Sequence, residues 1–509
     1  MKEIIVDGNC LTLEQVIAVS RGKAAVSLSK ESEQQVEKAR MVIQQAVEEK
    51  KVVYGVTTGF GALSGVTISK EQIRQLQINI LLSHAAGVGN AFDEETVRAI
   101  MLLRINSLAK GYSGIRLTTL KTFLEMLNKG VHPIIPEKGS VGASGDLAPL
   151  AHLSLVMIGE GKAFFQGDLL DGKEAMERAN IALAHLEEGE GLALINGTQV
   201  MTAIGALTVY DSINLLKTAD IAAGMSLEVL MGSNIELNPR IHEVRPHKGQ
   251  AICAENIRKI TKDSAIISSH KDCSRVQDAY TIRCAPQVQG ASRDALYYAK
   301  GIIETEMNSA TDNPLIFSDS NLILTGGNFH GQPVALSLDF LCMALSGIGN
   351  ISERRTERLV NPQLSGLPAF LVKDPGLNSG FMIAQYTAAA LVSENKVLSH
   401  PACVDSIPTS ANKEDHVSMG TISARKCREI MRHTEYIVSI ELLCAAQALD
   451  LFTNLKPGAG TLEAYKIIRK HIPHLDTDRI ISKDIETMQY LVHGGTILSS
   501  VEEKIGLLL

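Results

Sequence analysis

Apolar residues recur at spacings of three and four along most of this chain, the period of helices that bury one face. Between residues 30 and 50, Val36, Ala39, Ile43 and Val47 mark such a face, as on an amphipathic surface helix. Val97, Ile100, Met101, Ile105 and Leu108 repeat it over 94–109, ending at Gly111. From 332 to 360 apolar residues occupy most faces (Val334, Leu336, Leu341, Leu345, Ile348), the mark of a helix inside a bundle. Long helices are also expected over 381–399 and 418–452, the second tolerating Gly420 near its start. Thr12 with Gln15, and Ser69 with Gln72, have the spacing of capping boxes. Glycine-rich loops punctuate the helices at 55–65, 139–145, 326–331 and 375–380, and strand-like alternation is short and rare. The pattern predicts an all-α fold whose chemistry sits on loops held by a helical scaffold.

Composition narrows the function classes. The chain has 509 residues, 45% of them hydrophobic, ample for a large core. Aromatic residues make up 4% and Trp is absent, so aliphatic side chains must fill that core. A net charge of −7 without a long single-sign run argues against a nucleic-acid or acidic-membrane partner. No apolar run reads as a bilayer span, and the charged first twenty residues lack a signal-peptide core. Eight scattered cysteines with no CxxC pair read as reduced thiols, so a soluble cytoplasmic enzyme is expected. The histidines at 84, 152, 330 and 416 have neither HExxH nor Cys-pair spacing, so no metal is expected.

The segment Gly139-Ser-Val-Gly-Ala-Ser-Gly-Asp-Leu-Ala-Pro-Leu150 carries the most specific chemistry. Gly145, without a Cβ, is free enough in φ/ψ for its nitrogen to attack the carbonyl carbon of Ala143 and close a five-membered ring. Loss of water from that ring and from the Ser144 side chain leaves an imidazolone with an exocyclic methylidene, an electrophile. The bland alternative is a glycine-rich turn.

The flanks favour the electrophile. GSVGASGDLAPLAHLSLVMIGEG (139–161) resembles the signature of the aromatic amino-acid ammonia-lyases, a family that builds a 4-methylidene-imidazol-5-one from its own Ala-Ser-Gly. YGVTTGFG (54–61), LLSHAAGVGN (81–90), LINGTQ (194–199), RVQDAYTIRCAPQV (275–288), TDNPLIF (311–317), GGNFHGQPVA (326–335), GLNSGFMIAQ (376–385) and SANKEDHVSMG (410–420) resemble family blocks in the family's order, from about residue 5 to near the C-terminus. The resemblance implies a fumarase/aspartase-like all-α architecture. A smaller, loop-rich N-terminal part (1–200) would carry the Tyr54 loop, Ser83-His84 and the electrophile, and 201–509 would form a long-helix bundle. It also implies a homotetramer whose active sites draw on several subunits, with no metal or nucleotide cofactor and a small amino acid as substrate.

Roles follow residue by residue. The Ala143-Ser144-Gly145 electrophile captures the substrate amine and makes it a better leaving group. Tyr54 matches the family's base, whose phenol, ordinarily of pKa about 10, needs positive or hydrogen-bonding neighbours to act near neutrality. Glycines 55, 59 and 61 make its segment pliable, as a lid would be. Arg283 matches a bidentate carboxylate anchor. Gln277 and Tyr280, six and three residues earlier, would share its face if the segment is helical, Tyr280 assisting the electrophile and Gln277 holding substrate. Asn196 matches a residue that hydrogen-bonds the imidazolone oxygen, and Phe329 and Met382 match pocket-lining positions. Cys273, four residues before Gln277, is a thiol near that proposed site, though a buried inert one is the simpler reading.

Substrate choice rests on Ser83-His84 and Glu414. In the family a Ser-His pair accompanies histidine, and polar partners suit the two nitrogens of an imidazole. The resemblance thus implies elimination of ammonia from L-histidine to give trans-urocanate, the opening step of histidine breakdown. Tyrosine or phenylalanine deamination and an aromatic 2,3-aminomutase remain as alternatives on the same electrophile. Lys413 departs from the family's Gln at that position; it either lowers the pKa of Glu414 or points to solvent. Outside the family, Ser144 as a hydrolase nucleophile lacks GxSxG, a phosphate loop lacks GK[ST], and a non-catalytic helical scaffold would tolerate Ser144→Ala.

Overall fold

The structure, a computed structural model, describes every residue except 1, 2, 64, 66, 67, 69–71 and 271–275. The expected Ser69–Gln72 capping box and Cys273 therefore lie outside the described residues. The Thr12 box forms as read: its hydroxyl accepts the N–H of Gln15, and the Gln15 side chain accepts the N–H of Thr12.

Helices form where the apolar period places them: Lys30–Glu48, Glu94–Ala109, Gln332–Val360, Met382–Leu398 and Gly420–Leu449. The described strands are two to four residues long and form small separate sheets. Two readings need correction. The helix Glu94–Ala109 is not amphipathic, because every residue from Thr96 to Ala109 is buried. Polar side chains on it find partners inside the protein, Arg98 in the carbonyls of Val19 (2.9 Å) and Leu127 (3.0 Å), Asn106 in that of Met307 (2.9 Å). Gln332–Val360 is, by length and composition, long and apolar enough to cross a membrane, where the sequence reading found no such run. Most of its apolar window is buried, and its buried Asp339 accepts the N–H groups of Ala402 and Cys403, both at 2.8 Å, and the Ser423 hydroxyl at 3.0 Å.

The chain divides into two compact units. The first comprises 1–207, 300–339 and 401–425; the second comprises 208–299, 340–400 and 426–509. A single cut near residue 200 does not describe them, because 300–339 and 401–425 supply internal partners to the first unit. Asn308 takes the N–H of Leu11 at 2.8 Å, Asp312 takes the Asn196 amide at 3.1 Å, and Thr421 donates to Asp146. All the described strands lie in this first unit. The second unit is helical. In it Glu441, fully buried, is paired: it accepts from Arg355 (2.6 and 2.8 Å), Ser226 and Ser352 (both 2.6 Å). A buried ion must be satisfied in this way, since its desolvation costs several kcal/mol.

Candidate active site

The glycine-rich segment 139–146 is a tight turn leading into the helix Leu147–Leu155. Gly145 runs at φ +73° and pairs with Gly197; a Cβ on Gly145 would stand 2.1 Å from the Gly197 carbonyl oxygen. Gly142, at φ +71°, has the Ser418 hydroxyl 2.2 Å from where its Cβ would be. Only glycine meets both the conformation and the close approach. Asp146 anchors the turn. Its N–H donates to the Gly197 carbonyl at 2.7 Å, and its buried carboxyl accepts the N–H groups of Val200 (3.0 Å) and Met201 (2.9 Å) at the start of the helix Gln199–Val229. Hydroxyls of Thr421 and Ser140 complete its shell. Burial pushes the Asp146 carboxyl up to about 6, against the pull of those four donors.

Ser144 is the member of the triplet that faces a cavity of about 870 Å³, formed within the first unit. Its hydroxyl lies 3.4 Å from Glu414 Oε1, while Glu414 Oε2 accepts the Thr409 hydroxyl at 2.8 Å. Glu414 closes a short hairpin through two backbone hydrogen bonds with Thr409 (3.0 and 3.3 Å). Ser83 and His84 reach the same cavity from the C-terminal end of the helix Ile73–His84, with Ser83 Oγ 3.1 Å from His84 Nδ1. Burial lowers the His84 pKa, opposed by the Ile80 carbonyl and the Glu414 charge. Tyr54 enters from the loop before the 3-10 turn Gly61–Leu63, and its phenol oxygen accepts the Gly61 N–H at 3.1 Å. Phe329 and Lys413 also line the cavity.

Asn196 lines the cavity too, but its amide is turned away from the expected use. Both Nδ2 hydrogens are engaged, by Asp312 Oδ1 (3.1 Å) and the Asn313 carbonyl (3.0 Å). Its buried Oδ1 has no partner among the described residues.

Besides Ala143 and Gly145, which flank Ser144, four expected residues are not among those that line this cavity. Gln277 and Arg283 line a separate cavity of about 510 Å³ within the second unit, beside Asp278 and His270. Gln277, Tyr280 and Arg283 do not share one helix face, because the helix there is only Tyr280–Arg283 and Gln277 precedes it. Tyr280 is 70% exposed, with the Arg283 guanidinium 4.5 Å from its ring centre. Arg283 Nε is buried without a partner among the described residues. Met382 opens the helix Met382–Leu398, also in the second unit.

Sequence reasoning missed the supports behind the cavity wall. Arg104, fully buried, donates to Gln199 Oε1 at 2.7 Å and to the Ala193 carbonyl, holding the chain on both sides of Asn196-Gly197. Burial lowers its pKa to about 10, opposed by Asp312. Asp312 is itself raised to about 6 by burial, with Arg104, the Asn313 N–H and Asn196 opposing. An Asp directly before an apolar run is a helix-cap signal that marks position 146. Its side chain caps a different helix from its own, which no local pattern reveals.

A family model, aromatic amino acid lyase, matches residues 11–470. A histidine ammonia-lyase of Alkaliphilus oremlandii is 58% identical over 507 residues, covering 100% of both chains. The chain belongs to the aromatic amino acid lyase family. Among solved structures, this lyase resembles a histidine ammonia-lyase from Trypanosoma cruzi, with a TM-score of 0.92 and 44% identity over 99% of this chain and 95% of that one. It resembles a tyrosine aminomutase from Streptomyces globisporus with a TM-score of 0.95 and 38% identity, covering 100% of both chains. The helical fold of this lyase is thus shared by ammonia-lyases and aminomutases.

Proposed function

We propose that the chain is a histidine ammonia-lyase, eliminating ammonia from L-histidine to give trans-urocanate. The observation that carries this reading is the meeting of Ser144, Glu414 and His84 at one cavity, with Ser144 Oγ 3.4 Å from Glu414. Glu414 and His84 offer polar partners to the two nitrogens of an imidazole. A phenyl ring would leave both groups unpaired, at about 1–3 kcal/mol each.

The Ala143-Ser144-Gly145 turn fits the 4-methylidene-imidazol-5-one expected there: Gly145 lacks the Cβ that would meet Gly197, and the Ser144 hydroxyl that must leave is at the cavity. That group supplies an electrophile for the substrate amine. The chain's own residues do the rest. Tyr54, its phenol oxygen held by the Gly61 N–H, takes the β-proton. Asn196 lines the cavity with both Nδ2 hydrogens already engaged, so the donor role expected for it needs the amide to turn over. Lys413 is the only Lys or Arg among the described cavity-lining residues. The cation for the carboxylate therefore comes from elsewhere, and Arg283, which lines the second unit's cavity, suits that task when supplied with Gln277, Tyr280 and Met382 by other copies in a homotetramer.

The test is product analysis by NMR after incubation with L-histidine. Trans-urocanate and free ammonia are expected; a β-amino acid would assign the chain to the aminomutases instead.

A further inference from the structure

The Tyr54 loop and the Glu414 hairpin carry different parts of this chemistry, yet one side chain ties them together. The first N–H groups of a helical turn have no partner within it. At the 3-10 turn Gly61–Leu63 two successive ones are taken from outside: Gly61 donates to the Tyr54 hydroxyl at 3.1 Å and Ala62 to the Ser410 hydroxyl at 3.2 Å. Gly61 runs at φ +53°, and a Cβ on it would stand 2.6 Å from Ser410 Oγ, so the contact is close. On its other side Ser410 begins a run of three left-handed residues without a glycine, Ser410, Ala411 and Asn412 (φ +52°, +52° and +64°). Such a run persists only where its surroundings over-determine it. Here the Thr409–Glu414 backbone pairing closes the hairpin and the Ser410–Ala62 bond fixes its tip.

We infer that Ser410 is a positioning residue of the active site: its hydroxyl latches the Gly61–Leu63 turn and thereby sets where the Tyr54 phenol oxygen stands relative to Ser144 and Glu414. One hairpin then aligns both ends of the reaction, the substrate ring through Glu414 and the base through Ser410. The inference rests on the reading of Tyr54 as the base.

Ser410→Gly and Ser410→Ala test it together, assayed with L-histidine in the full-length protein. Glycine accepts the left-handed backbone without a Cβ cost, so Ser410→Gly removes the latch while relaxing the hairpin. Both variants should lose about tenfold or more in kcat with KM changed by less than about threefold. Ser410→Gly should melt no lower than the unsubstituted protein. Unchanged kcat in Ser410→Gly, or losses in both variants that track a lowered melting temperature, would overturn the inference. Tyr54→Phe separates the two failures. If Tyr54→Phe keeps full kcat, the base reading falls and takes the latch with it. If Tyr54→Phe is inactive while Ser410→Gly is not impaired, only the latch falls.

Discussion

A methyl group on Gly145 would meet the Gly197 carbonyl oxygen at 2.1 Å, in a backbone conformation that L residues rarely adopt. Backbone cannot yield there as a flexible side chain would, so Gly145→Ala should lose about 2 kcal/mol or more of stability together with all activity, read by melting and by turnover. Glu414 makes the opposite prediction, a large loss of activity at little structural cost, because its carboxylate faces the cavity. Glu414→Ala should lower kcat/KM for L-histidine by about 1.5–3 kcal/mol, roughly tenfold to a hundredfold, with melting nearly unchanged. Lys413 lines the cavity but is exposed, so Lys413→Gln should change kcat/KM by less than about tenfold. At this scale the sequence blocks were informative: Ser144, Tyr54, Ser83, His84, Asn196, Phe329 and Glu414 all reach one cavity. Ser410 and Arg104 were not legible, because each owes its role to a partner far along the chain, 348 residues away for Ser410 and Ala62.

Between elements, Asp146 joins the glycine turn, the start of Gln199–Val229 and the start of Gly420–Leu449. Asp146→Ala would leave buried donors unmatched and should cost about 3 kcal/mol or more in thermal or denaturant unfolding. The buried pair of Arg98 and His132 gives a pH prediction. His132 Nε2 faces Arg98 Nη1 at 3.2 Å, and its pKa falls to about 4, chiefly through burial, with Arg98 and Lys23 adding and Glu94 opposing. The folded state therefore binds fewer protons than the unfolded one between the ordinary value of 6.5 and about 4. Its contribution is complete above that window and is lost as pH falls through it, by about 3 kcal/mol. His132→Gln, which keeps an acceptor without the titration, should flatten that slope. Helix positions were legible from the apolar period to within a few residues. The burial of Glu94–Ala109 was not, since Arg98, Arg104 and Asn106 look like solvent-facing positions until their internal partners are known.

For the whole molecule, the expected residues fall into two sets, those in the first unit that line its cavity or flank Ser144 and those in the second unit. Sequence order alone did not separate them, because both sets sit in equally recognisable blocks. If an assembled enzyme combines them from different copies, Tyr54→Phe and Arg283→Ala should each be inactive alone. Co-expressed in equal amounts, they should recover roughly a quarter of full activity, since each site draws the two residues independently. No recovery would place both in one chain's own site.

If an electrophile made at Ser144 deaminates histidine beside Glu414 and His84, the product carries a new conjugated double bond. A continuous ultraviolet assay with L-histidine, L-tyrosine and L-phenylalanine in parallel, with Ser144→Ala as control, reads that bond as it forms. A conjugated product from L-histidine alone, absent in the control, is expected. Product from L-tyrosine or L-phenylalanine in its place, or product that survives Ser144→Ala, would contradict it.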